Sequence, residues 1–337
     1  MKKLLAVAVA LALLGLSIAA SAAITIETVT VGDLCNAADK NGFGSVSYTY
    51  NIGKYEVTAG QYCAFLNAVA KKDTYGLYCP YMGDPTFYWG CNIQRVGDPD
   101  NYTYSVPSDW ANRPVNYVSF WSALRFANWL HNGQPIGEQD LTTTEDGAYF
   151  INGYNGEDGR EIQRKSGAKW AITSEDEWYK AAYYKGGGTN AGYWLYPTRS
   201  DSVPSNDLTN PDGGNNANYY IHPGRYTIDS PYYRTNVGEF EDSESAYGTF
   251  DQGGNLWEWN EGIAFIVGNY AARSLRGGSF ANLRDYMQST FRTDNNPMTE
   301  DNSYGFRVVQ LCVPEPSSII AWFGGLTGLI GARRRTA

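Results

Sequence analysis

Apolar residues run together at the two ends of the chain and fall into short periodic patches between them. After Met1-Lys2-Lys3 an apolar run extends from Leu4 to Leu16 and closes on Ala20-Ser21-Ala22. A second run, Ile319 to Ala332 with four glycines, follows Val313-Pro314-Glu315-Pro316-Ser317 and precedes Arg333-Arg334-Arg335. Inside these ends, Ile24 to Thr30 and Val46 to Ile52 alternate as strands. A helix is predicted to start at Thr58, where Thr58-Ala59-Gly60-Gln61 forms a capping box and Tyr62, Phe65, Leu66 and Val69 share a face. Residues 73 to 112 are rich in Tyr, Gly, Asp and Pro and read as loop. A second helix covers about Ser119 to Leu130. The stretch from His131 to Ser166 has no sustained period and is expected to be a long surface insertion. A third helix starts at the capping box Ser174-Glu175-Asp176-Glu177, long loops continue to Asp251, and short strands follow from Ser274 to Leu311.

The N-terminal run has the layout of a secretory signal peptide, residues 1–22, and is shorter than the roughly 20 apolar residues of a membrane span. The chain is therefore expected to be exported. Residues 23–312 then form the body, with the insertion at 131–166, and residues 313–337 a separate hydrophobic tail. Aromatic residues make up 15%, charged residues only 18%, and glycines number 37, which describes a folded, loop-rich body dependent on aromatic packing. The formal charge of -9 and the lack of basic clusters outside the tail argue against nucleic acid as a partner.

Five cysteines, Cys35, Cys63, Cys79, Cys91 and Cys312, leave at least one unpaired. Disulfides persist in the oxidising compartments outside the cytoplasm. Cys79 and Cys91, flanking the Tyr81-to-Pro85 loop, are the preferred pair, although spacing does not fix connectivity. No CxxC is present to suggest zinc or redox chemistry.

Pro314-Glu315-Pro316, the apolar run and the terminal arginines together resemble the PEP-CTERM sorting signal of bacterial surface proteins. The resemblance implies an exosortase-type processing protease as a partner and a hydrophobic transmembrane helix held in the inner membrane before processing. A permanent anchor is the alternative, for which the run is short.

Six segments of the body, in order, resemble the sulfatase-modifying-factor domain of formylglycine-generating enzyme. They are Lys54-Tyr55-Glu56-Val57-Thr58, Arg113-Pro114-Val115-Asn116-Tyr117-Val118-Ser119, Ile172-Thr173-Ser174-Glu175-Asp176-Glu177-Trp178, Gly254-Asn255-Leu256-Trp257-Glu258-Trp259, Arg276-Gly277-Gly278-Ser279-Phe280 and Tyr304-Gly305-Phe306-Arg307. The likeness spans roughly Tyr50 to Val309. It implies an α+β fold related to C-type lectins: few helices beside small, twisted antiparallel sheets, much of the chain in ordered loops, with Trp257 and Trp259 packed inside.

The family's oxidase holds copper on two cysteines after its Gly-Gly-Ser, soft thiolates suited to Cu(I). Those places fall on Met287 and Arg292 here, and 281–298 contains no cysteine, so copper is not expected. A second branch of the family uses iron on several histidines, whereas this chain has only His131 and His222. Serine hydrolysis lacks a recognisable histidine base and a Gly-x-Ser-x-Gly. Carboxylate-only catalysis stays open.

The resemblance does carry over two structural calcium sites. One comprises Asn218, the carbonyl of Tyr219, Asp229 and the carbonyl of Pro231; the other Asp251, the carbonyls of Gly254 and Leu256, and the carboxylate of Glu258. Calcium takes six to eight hard oxygens at flexible geometry. The expected function is an exported, non-catalytic module that binds a surface protein or glycan at the cell envelope or in the extracellular matrix. The alternative is a protein-modifying enzyme with a non-standard site, around Arg276, Arg292 and Arg307.

Overall fold

The computed structural model describes residues 23–209, 211 and 213–311. The expected signal peptide, Cys312 and the expected C-terminal sorting segment lie outside the described residues. Among the described residues no helix is long and apolar enough to cross a membrane.

The three expected helices form where their caps begin. Helix α1 (Ala59–Val69) is capped by Thr58, whose hydroxyl accepts from Gln61 N–H while the Gln61 side chain accepts from Thr58 N–H. A four-residue helix α2 (Ser108–Ala111) precedes α3 (Phe120–His131), which is capped by Ser119. Helix α4 (Glu175–Tyr183) carries the Ser174 and Glu177 capping box. Each box satisfies N–H groups that the first turn leaves without intrahelical partners.

Helix α3 is buried from Phe120 to Leu130. Its Phe126 ring packs 5.2 Å from Phe65 of α1 and 5.3 Å from Phe306. Burial on every side leaves Arg125 no route to water, and it is held by a bidentate pair with Glu145 at 2.6 and 3.0 Å. That pair corrects the surface-insertion expectation. The 131–166 stretch lacks regular elements, but Gln139, Thr144, Glu145, Tyr149 and Ile151 are buried, because the segment supplies the counter-charge and carbonyls that α3 needs.

One four-stranded antiparallel sheet has the order β1 (Thr28–Val31), β2 (Tyr50–Gly53), β10 (Val308–Leu311), β5 (Trp170–Ile172). It joins the start, middle and end of the body in one layer. A hairpin of β3 (Gln94–Val96) and β4 (Thr103–Ser105) lies within the stretch expected to be all loop. The third sheet has the order β8 (Thr293–Asn295), β7 (Tyr270–Arg276), β6 (Trp257–Val267), β9 (Tyr304–Phe306). Its β6 and β9 run parallel, an exception to the antiparallel expectation.

The β6–β7 hairpin is the longest strand pair among the described residues and was not legible from alternation. Trp257, Glu258, Trp259 and Asn260 are all buried, and the register shifts between Trp259 and Phe265. A strand covered on both faces shows no polar and apolar alternation, and bulges break the period further. The preferred cysteine pair also fails. Cys63, Cys79 and Cys91 are buried free thiols and Cys35 an exposed one. Cys79 turns toward the carboxyl of Glu300, and burial, then Glu300, push its thiol up to about 12.

Candidate functional site

The segment after β7 turns through Gly277 and Gly278, at φ +100 and +74, and a Cβ on Gly277 would stand 2.7 Å from the Gln252 carbonyl oxygen. Only glycine tolerates that approach in the left-handed region. A 3-10 turn (Arg284–Met287) then brings Met287 into a cluster with Tyr196, Ala217 and Tyr219. Met287 is 1% exposed, and its carbonyl accepts from the Tyr183 hydroxyl at 2.9 Å.

Arg292 points elsewhere. Its Nε and Nη2 donate to Glu175, in the first turn of α4, at 2.8 and 2.7 Å. Arg276 shares that carboxylate through Nε at 2.9 Å and donates Nη1 to the Phe291 carbonyl at 2.7 Å. The Phe43 ring lies 4.5 Å from the Arg276 guanidinium and 5.5 Å from that of Arg292. The two positions that the resemblance aligned with the oxidase's cysteines are thus a filled core position and one arm of an ion triad.

Below this triad, Glu258 accepts from Arg307 Nε and Nη2 at 2.6 and 2.7 Å and from Trp178 Nε1 at 2.7 Å. Both partners of the pair are fully buried. Arg307 also donates to the carbonyls of Gly53 and Phe250. Glu56 accepts from Leu256 N–H and Asn255 Nδ2, and burial, then the nearby Asp251 and Glu258, raise its carboxyl well above the usual range.

The residues carried over for calcium are placed unevenly. Asn218 pairs with Gly254 as an isolated bridge, its carbonyl accepts from Asn255 N–H, and its amide donates to Asn255 Oδ1, so the two candidate sites adjoin. Asn218 Oδ1 is buried without a partner and fits a ligating oxygen. The Tyr219 carbonyl accepts from Asn206 and Thr227, while Asp229 and Pro231 lie in an exposed turn. At the second site, Asp251 accepts from Gly238 N–H, and burial pushes its carboxyl up to about 6. Glu258, with both oxygens engaged by Arg307, does not fit as a ligand in this arrangement. Leu256 is buried beside Glu56, and Gly254 sits against the Asn218 backbone. Among the described residues no three His, Cys, Asp or Glu side chains converge as a metal-holding group. His131 accepts from Lys169 N–H and His222 is exposed.

A cleft of about 440 Å³ is lined by Phe120, Tyr149, Arg164, Glu261 and Arg273 among others. Tyr149 donates to Glu261 at 2.5 Å, and burial raises the Glu261 carboxyl despite Arg164.

The model of the sulfatase-modifying factor enzyme 1-like domain family matches residues 38–311. The chain belongs to this family. Among solved structures CarF is 21% identical, with 86% of this chain and 99% of CarF covered and a TM-score of 0.56, a likeness in fold. Treponema denticola variable protein 1 is 17% identical over 86% and 97% of the two chains with a TM-score of 0.48. PvdO from Pseudomonas aeruginosa is 17% identical over 84% and 91% with a TM-score of 0.44. No curated protein matches significantly.

The sulfatase-modifying-factor-like domain has the α+β, loop-rich, C-type-lectin-like build that its six motifs implied. Its arginine motifs serve the framework, since Arg276 and Arg307 each satisfy a carboxylate and loop carbonyls. Sequence reasoning did not single out Glu175 or Phe43 as partners of Arg292, because nothing local links residues 117 positions apart.

Proposed function

We propose that this family member is an exported, non-catalytic module that binds a protein or glycan at the cell envelope or in the extracellular matrix. The observation that carries the reading is the filled place after Gly-Gly-Ser, where Met287 is core and Arg292 is committed to Glu175. A thiolate pair for a soft metal has no counterpart there. Export through the N-terminal signal, and release of the C-terminal segment by an exosortase-type protease at the inner membrane, belong to the same reading.

The test is twofold. Purified protein incubated aerobically with cysteine-containing peptides, with and without added copper, is expected to leave every peptide mass unchanged. Fractionation of producing cells is expected to find the chain outside the cytoplasm and shortened at its C-terminus. A mass change on the peptide, or a full-length cytoplasmic product, refutes the corresponding half.

Structural calcium joins the proposal at Asn218, Tyr219, Asp229 and Pro231, supported by the unpartnered Asn218 Oδ1. The second set would bind only with Glu258 drawn away from Arg307. Calorimetry and melting with added calcium test both, and no heat together with no rise in Tm would sink the claim.

A second reading, a protein-modifying enzyme with a non-standard site, is favoured by one observation: the Glu261 carboxyl, raised by burial and bonded to Tyr149, lines an open cleft. Turnover of any peptide by the native chain, lost in Glu261→Gln, would select this reading over the first.

A further inference from the structure

Six aromatic side chains form a belt of two ring clusters, Tyr226, Tyr233 and Trp89 in one and Tyr81, Phe87 and Tyr88 in the other, joined through the Tyr88–Trp89 backbone. The Tyr226 ring lies 5.0 Å from Tyr233, and Tyr233 lies 5.1 Å from Trp89. Beyond Trp89 the chain continues through Tyr88, whose ring is 4.7 Å from Phe87 and 4.3 Å from Tyr81. Phe87 is 75% exposed, Tyr81 46% and Tyr88 38%. Such a patch is larger than the scattered apolar residues any surface carries.

The belt is built rather than left over. Among the described residues twelve non-glycine residues have positive φ, and the three aromatic ones, Trp89, Tyr117 and Tyr233, all lie in or under this belt. Left-handed backbone is unfavourable for bulky residues and persists only where the surroundings enforce it. Here three consecutive carbonyls are clamped from beneath. Tyr117 donates its hydroxyl to Tyr88 O at 2.6 Å, Asn116 and Arg234 donate to Trp89 O at 2.8 and 2.7 Å, and Arg234 donates to Gly90 O at 2.9 Å. Rings held in advance lose little freedom when a ligand arrives.

The chemistry of the belt selects its occupant. Buried tyrosines such as Tyr50, Tyr62, Tyr104 and Tyr183 donate their hydroxyls to backbone carbonyls. The hydroxyls of Tyr81, Tyr88, Tyr226 and Tyr233 and the indole N–H of Trp89 have no partner within the described residues. Charge is subdued: Arg234 is buried beneath, Asp84 is occupied by the N–H groups of Thr86 and Phe87, and the net charge of -9 repels polyanions. The exposed Arg225 beside Tyr226 is paired with Asp207 at 3.2 Å, and apolar ring faces edged by free hydroxyls match pyranose rings, which present C–H faces edged by hydroxyls.

We infer that this belt is a docking platform for a neutral polysaccharide, with sugar rings stacked on Trp89 and Tyr233 and sugar hydroxyls bonded to the free phenols. The inference rests on the binding-module reading and names its ligand class and its site. The purified full-length chain is run in native gels containing hydroxyethyl cellulose, laminarin, xylan, galactomannan or no glycan. Retardation by at least one glycan is expected, with affinity lowered tenfold or more in Trp89→Ala and threefold or more in Tyr88→Ala. Phe87→Ala and Tyr88→Ala alter exposed rings, so circular dichroism is expected to report a folded protein even if Trp89→Ala fails to fold. No retardation of the folded chain by any glycan, or retardation untouched by Tyr88→Ala, overturns the platform. Binding of a peptide library that is lost in the same variants, with no glycan bound, overturns the glycan while the module reading stands. Mass change of a bound glycan overturns the non-catalytic reading and keeps the platform.

Discussion

Replacing Arg307 with methionine probes the pair on which the body depends. The change removes two charge-assisted bonds to Glu258, at 2.6 and 2.7 Å, and the donors serving the Gly53 and Phe250 carbonyls. What stays behind is a fully buried carboxylate whose remaining donor is Trp178 Nε1, with Glu56 and Asp251 close enough to repel it. Removing one partner of a buried pair typically costs about 3–5 kcal/mol because the other charge is left uncompensated. For a domain of this size that corresponds to a fall in Tm on the order of 10 °C. Glu258→Gln relieves the charge and keeps the Trp178 acceptor, so Arg307→Met placed on Glu258→Gln is expected to cost about 2 kcal/mol less than on the native chain. Arg307→Lys keeps the charge without the fork and is expected to fall between. Urea unfolding followed by tryptophan fluorescence measures all four variants. A loss below about 1 kcal/mol for Arg307→Met, or strict additivity in the double variant, would refute the claim that this pair is a coupled structural unit.

Four further outcomes follow from the same geometry. Burial holds Glu300 up to about 7, so the folded state binds its proton more tightly than the unfolded one; that contribution is full below the unfolded carboxyl range and is lost as pH rises through about 7. Glu300→Gln is therefore expected to be more stable than the native chain at pH 8, by roughly 2–3 kcal/mol, with the advantage vanishing near pH 4; denaturant midpoints across pH read this directly. Thr58→Ala removes the α1 cap and is expected to cost about 1 kcal/mol by urea unfolding, while Thr58→Ser costs little. Gly254→Ala would place a Cβ into the Asn218 carbonyl at φ +82, and a loss of at least about 2 kcal/mol is expected. Arg292→Cys leaves Glu175 with Arg276 and is expected to cost about 1 kcal/mol or less, well under Arg276→Met, which also strips the Phe291 carbonyl.

What could be read from the sequence was local. The caps at Thr58, Ser119 and Ser174 act over three residues, and all three helices begin where they say. The six motifs also placed Trp257 and Trp259 inside, at 5% and 0% exposure. The failures are long-range. Arg125 gives no hint in its own helix that Glu145 will fold back to meet it, so the 131–166 stretch looked like surface. Cys79 and Cys91 bracket a loop, but Cys79 is oriented by Glu300, more than two hundred positions later. The residues expected to hold calcium could be aligned by motif, yet the engagement of Glu258 by Arg307 becomes visible only when β6 and β9 lie side by side.

The buried arginines suggest how the body holds together independently of the segment after Gly277-Gly278-Ser279. A chain with 37 glycines, whose strands other than β6 and β7 are three or four residues long, leaves many carbonyls without ladder partners, and each must find a donor. Arg234, Arg276 and Arg307 donate to carbonyls of loops distant in sequence, and Arg276 and Arg307 are neutralised by glutamates on α4 and β6. Because these forks join loops from beneath, the residues above them are freed from holding the body together. Met287 fills a core position and Arg292 is a second arm on a Glu175 already paired with Arg276. The same separation lets Arg234 and Asn116 hold the Trp89 backbone while the Tyr81, Phe87 and Tyr88 rings are exposed, so that the proposed binding surface and the stability of the body are expected to respond to different substitutions.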